Sequence, residues 1–208
     1  MHIKTMPLGP LQTNCYIIYK NKEALIIDPG EEAEKVVQFI DDNALTPKAI
    51  MLTHAHYDHI GGVGHLRHHY NIDVYLHEAE AEWLEEPDYN GSGRFPGTSV
   101  KTERPDHLLI PGELSIANFS CEVKHTPGHS PGSVSFIFHK EKKVFSGDVL
   151  FKQGVGRTDL YGGSMDELVR SIRGTLYTLD DSYTVYPGHG ITTTIGNEKQ
   201  SNPYVPGV

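Results

Sequence analysis

Six consecutive residues, His54-Ala55-His56-Tyr57-Asp58-His59, constrain the fold of this chain more than any other feature in it. They follow residues 49–53 (AIMLT), a short, nearly all-apolar stretch that fits a buried strand. Side chains two apart on a strand project to the same side, so His54 and His56 can share one metal ion. Asp58 and His59 lie beyond, where the backbone turns into the next helix, and point elsewhere. The hexapeptide therefore offers ligands to two ions rather than four ligands to one. A polar loop of merely hydrogen-bonded histidines explains any one of them, but not three with an aspartate in six residues. Clustered nitrogen and carboxylate donors suit zinc.

The chain has 208 residues, enough for one ordinary domain with a core of its own, and 1–208 reads as a single domain. It carries 18 basic and 27 acidic residues, for a formal charge of −9. That excess argues against a nucleic-acid surface, which gains affinity by neutralising phosphates with Lys and Arg. A mean hydropathy of −0.39 and the absence of any apolar run near the ~20 residues of a bilayer span argue against a membrane protein. The opening MHIKTMPLGPLQTN lacks a basic tract followed by an apolar core, and Cys15 and Cys121 are too few for a disulfide framework. A cytoplasmic location is the expectation, with both cysteines serving as buried small hydrophobes.

Strands and helices alternate irregularly. Residues 15–20 (CYIIYK) and 23–28 (EALIID) predict a hairpin across Asn21-Lys22. Ala33, Val36, Val37, Ile40 and Ala44 recur at helical spacing, as do Ile60, Val63, Leu66 and Tyr70. Residues 73–77 predict a strand, and 78–86 a short acidic helix stopped by Pro87, with Trp83 as a packing residue. Residues 87–107 mix Gly, Pro, Asn and Ser and read as a long surface loop. Strands are expected over 107–110, 114–117, 119–126, 133–138 and 143–146. Ser164 with Glu167 forms a capping box for a helix whose apolar face is Leu168, Val169, Ile172, Leu176 and Leu179. A last strand covers 183–186. Paired strands with interleaved helices predict two packed sheets with helices outside.

Three further candidates sit at strand ends beside small residues: His129 in TPGHSPG, Asp148 after FSG and His189 in YPGHG. Small neighbours let a backbone approach an ion closely. The ordered set HAHYDH, HTPGHSPG, FSGDVLF and YPGHG resembles the metallo-β-lactamase superfamily over essentially the whole chain, in particular its short glyoxalase II-like branch. The resemblance implies an α+β fold, an αββα four-layer sandwich of two mixed sheets with helices outside. It implies that His54, His56 and His129 hold one divalent ion, that Asp58, His59 and His189 hold another, and that Asp148 bridges them. Zinc is the expected metal, with iron or manganese as alternatives. Asp28, which also opens the turn Pro29-Gly30, would orient a ligand from behind.

The implied chemistry is hydrolysis by a hydroxide held between the ions, with Asp58 as the catalytic residue that orients it and accepts its proton. The expected substrate is a small-molecule 2-hydroxyacyl thioester, such as lactoylglutathione or a related thiol adduct. Arg157 keeps the basic position that meets a substrate carboxylate, unless it serves only an ion pair with Asp159. Asp159 stands where the glyoxalase II branch has tyrosine, and only 19 residues follow His189, so another low-molecular-weight thiol is the alternative to glutathione. The GRTD stretch, 156–159, also resembles the superfamily's persulfide dioxygenases. On that reading His54, His129 and Asp148 bind one iron. A lactonase-type hydrolase is the third reading. His2, His65, His68, His69, His77, His107 and His139 are expected to be ordinary polar residues. His125, four positions before His129, could reach toward the site from behind. The oligomeric state is open.

Overall fold

The structure is a computed structural model describing residues 1–95 and 97–207; Pro96, inside the segment read as a loop, and Val208 lie outside the described residues. The chain divides into two compact units, one of residues 1–109 with 115–119, the other of 110–114 with the residues from 120 onward.

The first unit carries the sheet β1 (His2–Leu8), β2 (Thr13–Lys20), β3 (Glu23–Ile27), β4 (Thr46–Met51), β5 (Asp73–His77) and β6 (His107–Leu109), in that order. β1, β2 and β3 are antiparallel, and β3 through β6 are parallel. The β2–β3 hairpin turns where predicted, because Asn21 and Lys22 both take the left-handed conformation (φ 50° and 67°) that a two-residue connection needs. The helices are α1 (Ala33–Asp42), α2 (Tyr57–Ile60), α3 (Val63–Tyr70) and α4 (Pro87–Asn90). Val36 and Ile40 of α1 and Val63 and Leu66 of α3 bury against Ile17, Ile26, Ile50 and Val74 of the strands.

Three expectations change here. β1 was not anticipated, because most of its side chains are exposed and no alternation marks it. The acidic stretch is a 3₁₀ helix, Glu78–Leu84, and Pro87 opens α4 at its first position, where a missing N–H costs nothing. Residues 87–107 are more than a loop. The buried Asn90 amide donates to the carbonyls of Trp83 (2.9 Å) and Val100 (3.0 Å), while Ser92 Oγ accepts Val100 N–H (3.1 Å).

The second sheet runs β14-β13-β10-β9-β8-β7, built from β7 (Gly112–Ile116), β8 (Phe119–His125), β9 (Val134–Phe138), β10 (Lys143–Gly147), β13 (Thr184–Pro187) and β14 (Thr193–Thr194). β10 and β13 are parallel, whereas β8–β9, β9–β10 and β13–β14 are antiparallel. A ribbon, β11 (Leu150–Phe151) with β12 (Gly154–Val155), and two helices, α5 (Met165–Gly174) and α6 (Ile195–Ser201), complete the set. Half of the predicted capping box forms. Ser164 Oγ accepts Glu167 N–H, but Ser164 N–H donates to the Gly128 carbonyl at 2.8 Å rather than to the glutamate. Leu168 and Ile172 anchor α5 in the core, and Leu176 follows in a 3₁₀ turn. Among the described residues no helix is long and apolar enough to cross a membrane. Both cysteines are buried, and burial pushes the Cys121 thiol up to about 12.

Candidate metal centre

In the first unit β4 delivers the histidine motif. Its ladder closes with Leu52 N–H donating to the Tyr75 carbonyl, after which the chain leaves the sheet as Thr53-His54-Ala55-His56 and turns into α2. His54 and His59 are fully buried, and His56 nearly so. The rings crowd one another, His54 lying 4.8 Å from His56 and 4.1 Å from His59 between centroids.

Asp28, at the end of β3, organises this group. It is buried and left-handed (φ 50°), a conformation uncommon for a residue with a Cβ. Its carboxylate accepts Thr53 N–H (2.7 Å), the Thr53 hydroxyl (2.6 Å) and His59 Nδ1 (3.1 Å). A carboxylate only accepts, so His59 carries its proton on Nδ1 and turns the Nε2 lone pair the other way. Thr53 has spent its own proton on Asp28. The 3.1 Å contact between Thr53 Oγ1 and His54 Nδ1 therefore places the His54 proton on Nδ1 and its lone pair on Nε2 as well. Asp58 Oδ2 accepts the hydroxyl of buried Thr13 at 2.6 Å and lies 3.5 Å from His59 Nε2. Gly30 is required because a Cβ there would stand 2.4 Å from the Asp58 carbonyl. Trp83 is buried with its ring 5.8 Å from that of His56, the packing role expected of it.

The second unit assembles its own group. Asp148 Oδ2 lies 3.6 Å from His129 Nε2 and 3.5 Å from His189 Nε2, a carboxylate between two imidazoles. His129 is buried, and its Nδ1 donates to the Arg157 carbonyl at 2.8 Å, again leaving the lone pair on Nε2. The Gly188 N–H donates to the Gly147 carbonyl at 2.8 Å, tying the turn of His189 to that of Asp148. Gly156 permits the whole arrangement, since a Cβ there would fall 1.8 Å from the Asp148 carbonyl and 3.0 Å from His129 Nδ1.

Each unit thus gathers its own share of the predicted ligands, His54, His56, Asp58 and His59 in one, with Asp28 behind them, and His129, Asp148 and His189 in the other. Arg157 makes the ion pair that the sequence left open for it. Its guanidinium makes a two-bonded ion pair with Asp159 (2.7 and 2.8 Å), and its carbonyl supports His129. His125 Nε2 donates to the Pro131 carbonyl at 2.8 Å, closing the loop on itself. His107 pairs with Asp73 and His139 with Glu122, as ordinary polar residues do. Thr13 and Glu80 escaped sequence reading because only the tertiary fold brings them to the motif, and Thr53, though next to it, because its role depends on Asp28.

The donors fit a divalent cation. Imidazoles anchored through Nδ1 with lone pairs on Nε2, beside aspartates, form the nitrogen and oxygen set that zinc and related metals select. Asp28, Glu80 and Asp148 are buried, and no Lys or Arg is buried among the described residues, so a bound cation would supply compensating charge.

Comparison with known proteins extends this likeness along the chain. The family model of the metallo-beta-lactamase superfamily matches residues 8–189. The hydroxyacylglutathione hydrolase GloC of Haemophilus influenzae is 39% identical over 208 residues, spanning 99% of this chain and 98% of its own length. The crystal structure of BLEG-1 B3 metallo-beta-lactamase is 49% identical with a TM-score of 0.95, covering 98% of this chain and 99% of that one. TTHA1623, solved in a di-iron-bound form, is 38% identical with a TM-score of 0.89, covering 97% of this chain and 100% of that one.

Proposed function

The chain belongs to the metallo-β-lactamase superfamily, and we propose that within it the chain is a thioesterase acting on 2-hydroxyacyl thioesters, lactoylglutathione or a related thiol adduct. The α+β fold of two mixed sheets with helices is the one the motifs implied, and the chain is a metallo-hydrolase of this family. The observation that carries the finer reading is the likeness to the GloC hydrolase over nearly the full length of both chains.

His54, His56 and His129 would hold one ion and Asp58, His59 and His189 the other, with Asp148 between them. Zinc is the leading choice, and the di-iron form of TTHA1623 makes iron the alternative. When bound, two divalent ions lower the pKa of water toward ~7 and take up charge at the substrate carbonyl and the leaving sulfur. Asp58, fixed by Thr13, orients the attacking water and accepts its proton. The new bond joins water oxygen to the acyl carbon, and the C–S bond breaks with its electron pair on sulfur. A thiolate leaves without a general acid. Arg157, exposed beside Asp159, would meet a substrate carboxylate.

A second reading, β-lactam hydrolysis, is favoured by the 49% likeness to a protein described as a metallo-beta-lactamase. Metal analysis of protein purified without added metal, with thioester, β-lactam and persulfide assays, separates the readings. The expected result is about two ions per chain and thioester turnover abolished by His54→Ala or Asp148→Ala. One iron per chain with oxygen uptake on a persulfide overturns hydrolysis. β-Lactam turnover outpacing thioester turnover selects the second reading.

A further inference from the structure

We propose that Glu80 is a positioning residue for the His54–His56 pair, and through it for a divalent ion; the inference rests on the metal reading above. Glu80 lies in the acidic run 78–82 (EAEAE), where Glu78 and Glu82 face solvent as expected, yet Glu80 is fully buried. Burying a carboxylate is costly unless it is hydrogen-bonded, so its partner identifies what it holds. One partner is the backbone of the motif: Glu80 Oε2 accepts Ala55 N–H at 2.6 Å. The short distance marks a charge-assisted bond.

The position of Ala55 gives this bond its meaning. Beyond Leu52 the strand ladder has ended, and the amides on either side of His54 are both taken by buried carboxylates. Asp28 takes Thr53 N–H from the β3 side, and Glu80 takes Ala55 N–H from the turn after β5. The segment that aims both imidazoles is thus pinned at two consecutive odd positions by elements remote in sequence. The same 3₁₀ turn serves His56. Side chains three apart eclipse in such a helix, and Trp83, three residues after Glu80, lies against the His56 ring. Glu80 fixes the backbone between the ligands while Trp83 walls the second of them. Loss of the anchor would let the two imidazoles drift from a shared ion without removing either.

The test measures zinc binding to metal-stripped protein by competition with a chromophoric chelator, for wild type, Glu80→Gln and Glu80→Ala. A visible spectrum of the cobalt(II)-loaded forms reports ligand geometry. Supporting contacts of metal ligands are worth about 10–100-fold in affinity, so Glu80→Ala is expected to weaken zinc by that factor and to alter the cobalt bands. Glu80→Gln keeps an acceptor oxygen and is expected to lose about three- to tenfold, partial rescue that a purely structural loss would not give. If Glu80→Ala does not fold, the Gln variant decides alone. Zinc affinity within twofold of wild type and an unchanged cobalt spectrum in the folded variants overturn the role of Glu80. Wild-type protein that takes up neither metal overturns the metal reading beneath it instead.

Discussion

The two units present their ligands by opposite means. In the first, side chains do the holding: buried Asp28 grips Thr53 and His59, buried Thr13 grips the partly buried Asp58, and buried Glu80 grips the backbone between two histidines. In the second, the main chain does the holding. The Arg157 carbonyl fixes His129, a Gly188–Gly147 bond ties two turns together, and Gly156 leaves room for the Asp148 carbonyl. Within the groups, His59 is fully buried whereas the His189 side chain is 29% exposed. A group held by side chains is tuned by charge and hydrogen bonding. A group held by backbone is tuned by the absence of atoms, and there the damaging change is an added methyl.

That contrast ranks the expected effects. Gly156→Ala is the most severe, because its Cβ would meet backbone at 1.8 Å, where nothing can rotate away. A cost of about 3 kcal/mol or more is expected, lowering the melting temperature by roughly 6–12 °C, with zinc binding at His129 and Asp148 lost. Calorimetry and metal titration check this, and near-wild-type behaviour would refute the account of the second unit. Asp28→Asn comes next. It keeps one acceptor for Thr53 but places an amide against donors, so about 1–3 kcal/mol of stability is expected to go, with weaker metal binding at His59. The same measurements apply. Thr13→Val is milder, since the shape stays and only the hydrogen bond to Asp58 goes. Turnover is expected to fall about tenfold and to return in Thr13→Ser, with folding little changed.

The same contrast explains what could be read from the sequence. The candidate ligands were legible as candidates because each carries a local mark, a strand end beside His, Gly or Pro. The hairpin was legible because Asn21-Lys22 tolerates the left-handed region, and α1 and α5 because apolar residues recur on one face. Glu80 was not, since its neighbours Glu78 and Glu82 share its chemistry and only packing buries one of the three. α6 was not, because IGNEKQS offers a single buried apolar residue, Ile195. Its worth lies instead in buried Glu198, which accepts Gln153 N–H (2.8 Å) and Asn202 Nδ2 (2.9 Å) and so holds the β11–β12 ribbon. The order within 87–107 was hidden for a similar reason: composition marks it as irregular, while the Asn90 amide supplies bonds that no periodicity announces.

The smallest expected effect concerns Arg157, the residue of the second unit whose side chain was assigned to the substrate. Its pair with Asp159 has good geometry, but the two side chains are 62% and 69% exposed. Exposed pairs contribute about 0–1 kcal/mol, so a substrate carboxylate can displace Asp159 at little cost. Two variants separate recognition from mere loop fixing. If the guanidinium meets substrate, Arg157→Ala raises the Michaelis constant about three- to tenfold with turnover changed less than twofold. Asp159→Ala then lowers that constant, because the competing carboxylate has gone. If the pair only fixes the loop, both variants act alike, since each breaks it. The His129 support would survive either change, because it comes from the Arg157 carbonyl, which alanine retains. Zinc affinity should therefore match wild type in both, and a loss in Arg157→Ala would mean that the ion pair, rather than the backbone alone, sets the His129 bond.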